Sequence, residues 1–164
     1  MIVYISNMTA QITDILNYQD MAHSICNEPL SKILKDRSIK FHTPHTALWR
    51  GYTGTWRLIE DKLYLVGIKA YLDEKSIVDL NYLFPNHKEV FADWFTGEIK
   101  INLGKLIEYR HFGYASIYEK NIFLAFENGV LKSQRTHNNN SLLTRIRRRI
   151  MKMLLSNNED DYGV

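Results

Sequence analysis

The sequence predicts a mainly β domain of the α+β class: an antiparallel meander forming a rolled sheet or a sandwich, with a short helix near 29–36 and a C-terminal basic amphipathic helix. Three observations carry this expectation. Apolar and polar residues alternate over short runs that are separated by turn chemistry. Aromatic residues make up 12% of the chain, and aromatics suit a pleated surface. Asn128-Gly129, between two apolar runs, is the strongest short-range hairpin signal in the chain.

Each element follows from its local sequence. Residues 12–18, ending TDILNY, read as a strand, and after a turn at Gln19-Asp20 residues 21–26 return as its partner. Asn27-Glu28-Pro29 opens the short helix, because proline is pre-set for a first helical position and Leu30, Ile33 and Leu34 share one face. Pro44 fixes a loop over 41–45. Residues 51–72 form the clearest hairpin: Trp56, Leu58, Leu63 and Leu65 alternate around a reversal at Glu60-Asp61-Lys62. IVDLNYLF at 77–84 reads as a short helix ended by Pro85, 86–89 as a loop, and 90–94 as apolar and irregular. EIKINL is a strand, which Gly104-Lys105 turns back into LIEYRHF. Residues 117–126 are a strand paired with 130–134 across Asn128-Gly129, and Ser141 caps the last helix.

A chain of 164 residues suits one domain and buries enough surface to fold without a metal or disulfide. The expected organisation is a β domain over 1–136, a polar linker at 137–140, a basic amphipathic helix over 141–155 and an acidic disordered end at 156–164. Charge divides accordingly. Residues 1–140 carry 16 Lys/Arg against 15 Asp/Glu, 141–155 carry five cations and no acid, and 156–164 carry three acids and no cation. Affinity for a polyanion therefore belongs to the tail. The single cysteine, Cys26, reads as a buried small apolar residue. The N-terminus lacks the pattern of a signal peptide and no window is apolar enough for a membrane span, so a cytoplasmic location is the expectation.

Four segments have residue types that carry chemistry. LWRGYTGTW at 48–56 sets Trp49, Arg50 and Tyr52 beside two glycines; it reads either as a stacking surface for a partner or as core tryptophans covered by Arg50. FADWFTGE at 91–98 places Asp93 among aromatics, where it reads as a buried brace to Arg50 or Arg110, or as a carboxyl with a raised pKa in a cleft. Residues 108–119 are the densest polar and aromatic stretch and supply Arg110, His111, Tyr114, Tyr118 and Glu119 as candidate binding residues. His111 with Glu108 or Glu119 would make an acid–base pair, although strand alternation sets Glu108 and His111 on opposite faces. In the tail, Leu142, Leu143, Ile146, Ile150, Met153 and Leu154 gather on one side of a helix. Arg145, Arg148, Arg149 and Lys152 gather on the other, either as candidate polyanion contacts or as solvated cations on a helix whose apolar side packs on the sheet. His42 and His45 lack a third ligand nearby, Ser116 has no nucleophile context, and no cofactor motif occurs, so neither metal nor cofactor is expected.

In these blocks the chain resembles a widespread uncharacterised bacterial family. The matching stretches are TALWRGYTGTW, KLYLVGI, LFP, VFADWFTGEIKI and GKLIEYRHFGYASIYEKNIFLAFENG, and the resemblance covers residues 12–132. It implies no assigned reaction, so no catalytic residue is carried over, and the Arg-rich tail stands as an addition. Small single domains of this kind resemble immunity or antitoxin partners, an analogy of type.

The first expectation is a non-enzymatic protein-binding module, of immunity, antitoxin or defence type, that masks a partner by its aromatic and polar surface. The second is an enzyme or small-ligand binder with a cleft of Arg50, Asp93, Glu108 and His111. The third is a nucleic-acid or membrane-surface adaptor acting through the tail.

Overall fold

A computed structural model describes residues 10–109, 116–140 and 146–151. In chain order the strands are β1 (Asp14–Tyr18), β2 (Met21–Ile25), β3 (Tyr52–Ile59), β4 (Lys62–Tyr71), β5 (Ile77–Val78), β6 (Val90–Phe91), β7 (Gly97–Glu108), β8 (Ile117–Glu127) and β9 (Val130–Asn138). The helices are α1 (Ser31–Asp36) and α2 (Leu80–Leu83), with a single 3-10 turn at Thr46–Leu48. Residues 146–151 are helical as well.

Three tight turns pin the hairpins. Gln19 and Asp20, Glu60 and Asp61, and Asn128 and Gly129 all have positive φ, between 47° and 76°. Two consecutive residues of that hand match the twist of the flanking strands. The expected hairpins over 51–72 and 117–134 therefore form, with Trp56 opposite Leu65 and Leu124 opposite Gln134. Asp79 caps α2 by accepting the Asn81 N–H at 3.0 Å. Chain entry to that helix passes through β5, so only half of the stretch expected to be helical is helical.

Among the described residues, nine strands make one mixed sheet. The expectation of a purely antiparallel meander is corrected in one place: β1 and β3 run parallel, with Leu16 opposite Trp56. Parallel neighbours need a long connection, and the α1 segment with its following loop supplies it. Pairing proceeds β3-β1-β2-β7-β8-β9-β4 and returns through β4–β3, so seven strands close a ring. Two of its joints are thin. β2 pairs with β7 only at Ile25 and Ile101, and β4 pairs with β9 only at Lys62 and Val130, among the described residues. Inside lie Leu16, Ile25, Trp56, Leu65, Ile99 and Leu124, all fully buried.

Two further expectations are corrected. Gly104 does not reverse the chain: β7 continues through it to Glu108, with register shifts between Leu103 and Glu108. Its φ of +77° and the Glu119 carboxylate lying against it mark a bulge, which a side chain would fill. Residues 137–140 are not a linker in form, since β9 runs through Asn138 and Asn139 is buried. Asn139 is drawn in by its side-chain bonds to Tyr118 and Asn121.

Candidate functional site

The most constrained polar cluster is built on Asp14. Along β1 the residues Asp14, Leu16 and Tyr18 alternate inward, so the carboxyl is delivered to the interior at the strand's first position. The parallel register sets it beside Gly54, whose N–H donates to Asp14 Oδ1 at 2.9 Å. Trp56 Nε1 donates to Oδ2 at 2.9 Å, and Arg50 Nη2 donates to Oδ1 at 2.5 Å. Glycine at 54 is required, because a Cβ there would sit 2.7 Å from Trp56 Nε1 and 2.8 Å from Asp14 Oδ2. Burial pushes the Asp14 carboxyl above its ordinary value, against the pull of Arg50 and of the Gly54 and Trp56 donors.

Arg50 is engaged on every side. Besides Asp14, its Nη1 reaches Glu28 Oε1 at 3.3 Å and its Nε donates to the Tyr52 carbonyl at 2.8 Å. The guanidinium lies 4.9 Å from the centre of the Tyr52 ring. Only 6% of its side chain is exposed. Tyr52 itself is core, edge-on to Phe41 at 5.9 Å. Arg50 and Tyr52 thus brace the fold, and their role as contact residues is corrected by their burial. Asp93 is corrected too. It is exposed in the turn that follows β6, and the buried brace to Arg50 is made by Asp14 and Glu28 instead.

The tryptophans part company. Trp56 is fully buried. Trp94 is half-buried, stacked on Phe84 at 5.7 Å with its Nε1 donating to the Pro29 carbonyl at 3.0 Å. Trp49 is 49% exposed. Its backbone is nonetheless fixed: the N–H donates to Gln11 Oε1 at 3.2 Å, and the carbonyl accepts from the Thr43 hydroxyl. Gln11 is held in turn by the Thr46 carbonyl at 2.8 Å. On the other flank Gly51, at φ +75°, lies so close to the His42 carbonyl that a Cβ would stand 2.3 Å from it. A large aromatic therefore projects from a rigid turn whose next residue is the locked Arg50.

A second polar cluster runs from the residue after β2 across β7 and β8 to the residue after β9. Asn102 donates to Cys26 Sγ at 3.0 Å, Asn121 donates to Asn102 at 2.8 Å, and Asn139 donates to Asn121 at 2.5 Å. Burial pushes the Cys26 thiol up, more than Lys100 and Asn102 pull it down. Of the residues expected from 108–119, Tyr118 is half-buried, and its carbonyl accepts from Asn139 at 2.9 Å. Glu119 accepts from the Lys105 N–H at 3.0 Å and from Asn140 Nδ2 at 3.2 Å, which makes it a support for the bulge. Arg110, His111 and Tyr114 lie outside the described residues, so the cleft expected from Arg50, Asp93, Glu108 and His111 is left with Arg50 locked and Asp93 on the surface.

An open cavity of about 490 Å³ lies between β4, β5 and α2, lined by Ile68, Lys69, Ile77, Val78, Asp79 and Tyr82 among others. Its two charged side chains have other work: Asp79 caps α2, and Lys69 lies 5.6 Å from the Tyr71 ring centre. No group of three or more His, Cys, Asp or Glu among the described residues is arranged to hold a metal ion, and no described helix is long and apolar enough to cross a membrane. In the tail, Arg147 and Arg149 are exposed, and Arg148 Nη2 donates to the Asn139 carbonyl at 3.2 Å. Arg145 and Lys152 lie outside the described residues.

Sequence reasoning missed Asp14 and Glu28. The signal for Asp14 was present as an acid on the inward phase of an otherwise apolar strand. Glu28 was hidden by its place beside Pro29, where it read as the start of a helix. Comparison of the chain with protein families, characterised proteins and solved structures finds no match.

Proposed function

We propose that this protein is a non-enzymatic protein-binding module, of the kind that masks a partner in immunity or defence systems, with Trp49 as its anchor. One observation carries the reading: a half-exposed tryptophan is held by its own backbone on a turn rigidified by the Asp14–Arg50–Glu28 brace. Exposed tryptophans on preorganised supports are what dominate binding energy at protein interfaces. The competing enzymatic reading loses its cation, since Arg50 is committed to structural bonds.

Site-specific photocrosslinking in the native host tests this. A benzophenone side chain at position 49 is compared with one at Lys132, an exposed position on β9. The expected result is one protein captured at 49 and not at 132, its yield falling when unlabelled wild-type chain competes. Equal capture at the two positions, or capture that wild-type chain does not reduce, refutes the proposal.

A further inference from the structure

We propose that the helix over 146–151 is a docking surface for an anionic lipid bilayer. Arg148 is turned toward the body, where it bonds the Asn139 carbonyl at the end of β9. At about 100° per residue, Ile146 and Ile150 both lie about 160° round the helix from Arg148, so they face away from the body. Their exposure agrees: 44% for Ile146 and 51% for Ile150. Arg147 and Arg149 are exposed and flank the isoleucine pair, each about 80° to one side. An apolar ridge bordered on both sides by guanidinium groups is thereby held outward on a tethered helix.

That layout selects the occupant. An anionic bilayer surface satisfies both components: the isoleucines enter the boundary between headgroups and acyl chains, and the arginines meet headgroup anions at that depth. Nucleic acid would engage the arginines and leave the isoleucines in water. A second copy of the helix would cover the isoleucines but bring four arginines together.

The experiment is co-sedimentation of the full chain with vesicles of phosphatidylcholine, and with vesicles of phosphatidylcholine mixed with phosphatidylserine. The expected result is retention on the mixed vesicles only, falling as salt is raised. Arg147→Gln with Arg149→Gln lowers the partition coefficient about 25-fold, at about fivefold per arginine. Ile146→Ser with Ile150→Ser lowers it about tenfold or more, while the exposed positions leave the melting curve unchanged. Equal retention on both vesicles overturns the proposal. So does an isoleucine variant that sediments like wild type, tighter binding to mixed-sequence duplex DNA that survives the isoleucine changes, or a dimer in solution that those changes dissolve.

Discussion

Removing the Arg50 side chain tests the brace most directly. Arg50→Ala strips Asp14, which is fully buried, of its cation and leaves it with the Gly54 and Trp56 donors. Breaking a buried ion pair from one side costs about 3–5 kcal/mol. The two surviving donors hold the charge penalty near the lower end of that range. Loss of the guanidinium over Tyr52 adds about 1 kcal/mol. The expected total is about 4 kcal/mol, or a fall of roughly 8–16 °C in melting temperature for a chain of this size. The deficit is also pH-dependent. Burial already holds the Asp14 carboxyl above its ordinary value, and Arg50 is the strongest influence opposing that rise. Without Arg50 the folded-state value rises further, and the folded variant takes up a proton where the unfolded chain does not. A raised carboxyl contributes stability below its unfolded value and loses it as pH climbs through the folded value. The variant therefore lies furthest below wild type at neutral pH and recovers as pH falls toward 4. Urea unfolding at a series of pH values reads both effects. An Arg50→Ala protein that melts with wild type at neutral pH would show the arginine to be a surface contact and refute the reasoning.

Other substitutions separate core from surface. Trp56→Ala should cost about 3–5 kcal/mol, because a fully buried indole is removed along with its bond to Asp14; Trp49→Ala should stay within about 0.5 kcal/mol, and thermal melts of the pair decide whether the exposed tryptophan is free of the fold. Asn121→Leu should cost about 1–3 kcal/mol by orphaning the Asn102 acceptor, and a chain as stable as wild type would mean the asparagine ladder is dispensable. Cys26 should react with an aromatic disulfide at pH 8 about tenfold or more slowly in the folded protein than in urea, since burial keeps the thiol protonated; equal rates would place the thiol in water.

Hairpins were legible because they are local. Asn128-Gly129 and the run from Glu60 to Lys62 declare their turns within a few residues. The β1–β3 pairing was not legible, since nothing between Tyr18 and Tyr52 states which earlier strand the later one will join. The same distance hid the site. Asp14 and Arg50 stand 36 residues apart, and only the parallel register unites them. Asp93 misled because aromatic neighbours in sequence were read as neighbours in space, whereas the Phe95 N–H bond to the Ala92 carbonyl closes a turn that leaves the carboxylate outside. Gly104 misled in another way: glycine marks a bulge as readily as a reversal, and the deciding partner, Glu119, comes from the opposite strand.

The thin joints of the ring fall between stretches that are each continuous along the chain. Every pairing among β1 to β6 lies within residues 14–91, and every pairing among β7 to β9 lies within 97–138. Among the described residues, only the pairs Ile25–Ile101 and Lys62–Val130 stitch the two together by strand pairing, and the segment from 92 to 96 is their covalent link. A break in that segment would cut no strand. It would yield two pieces whose hidden faces, Leu16, Trp56 and Leu65 on one and Ile99, Ile101 and Leu124 on the other, each lack cover without the other. Split there, each piece would carry an apolar face whose natural cover is the other piece, which favours their reassociation over separate folding.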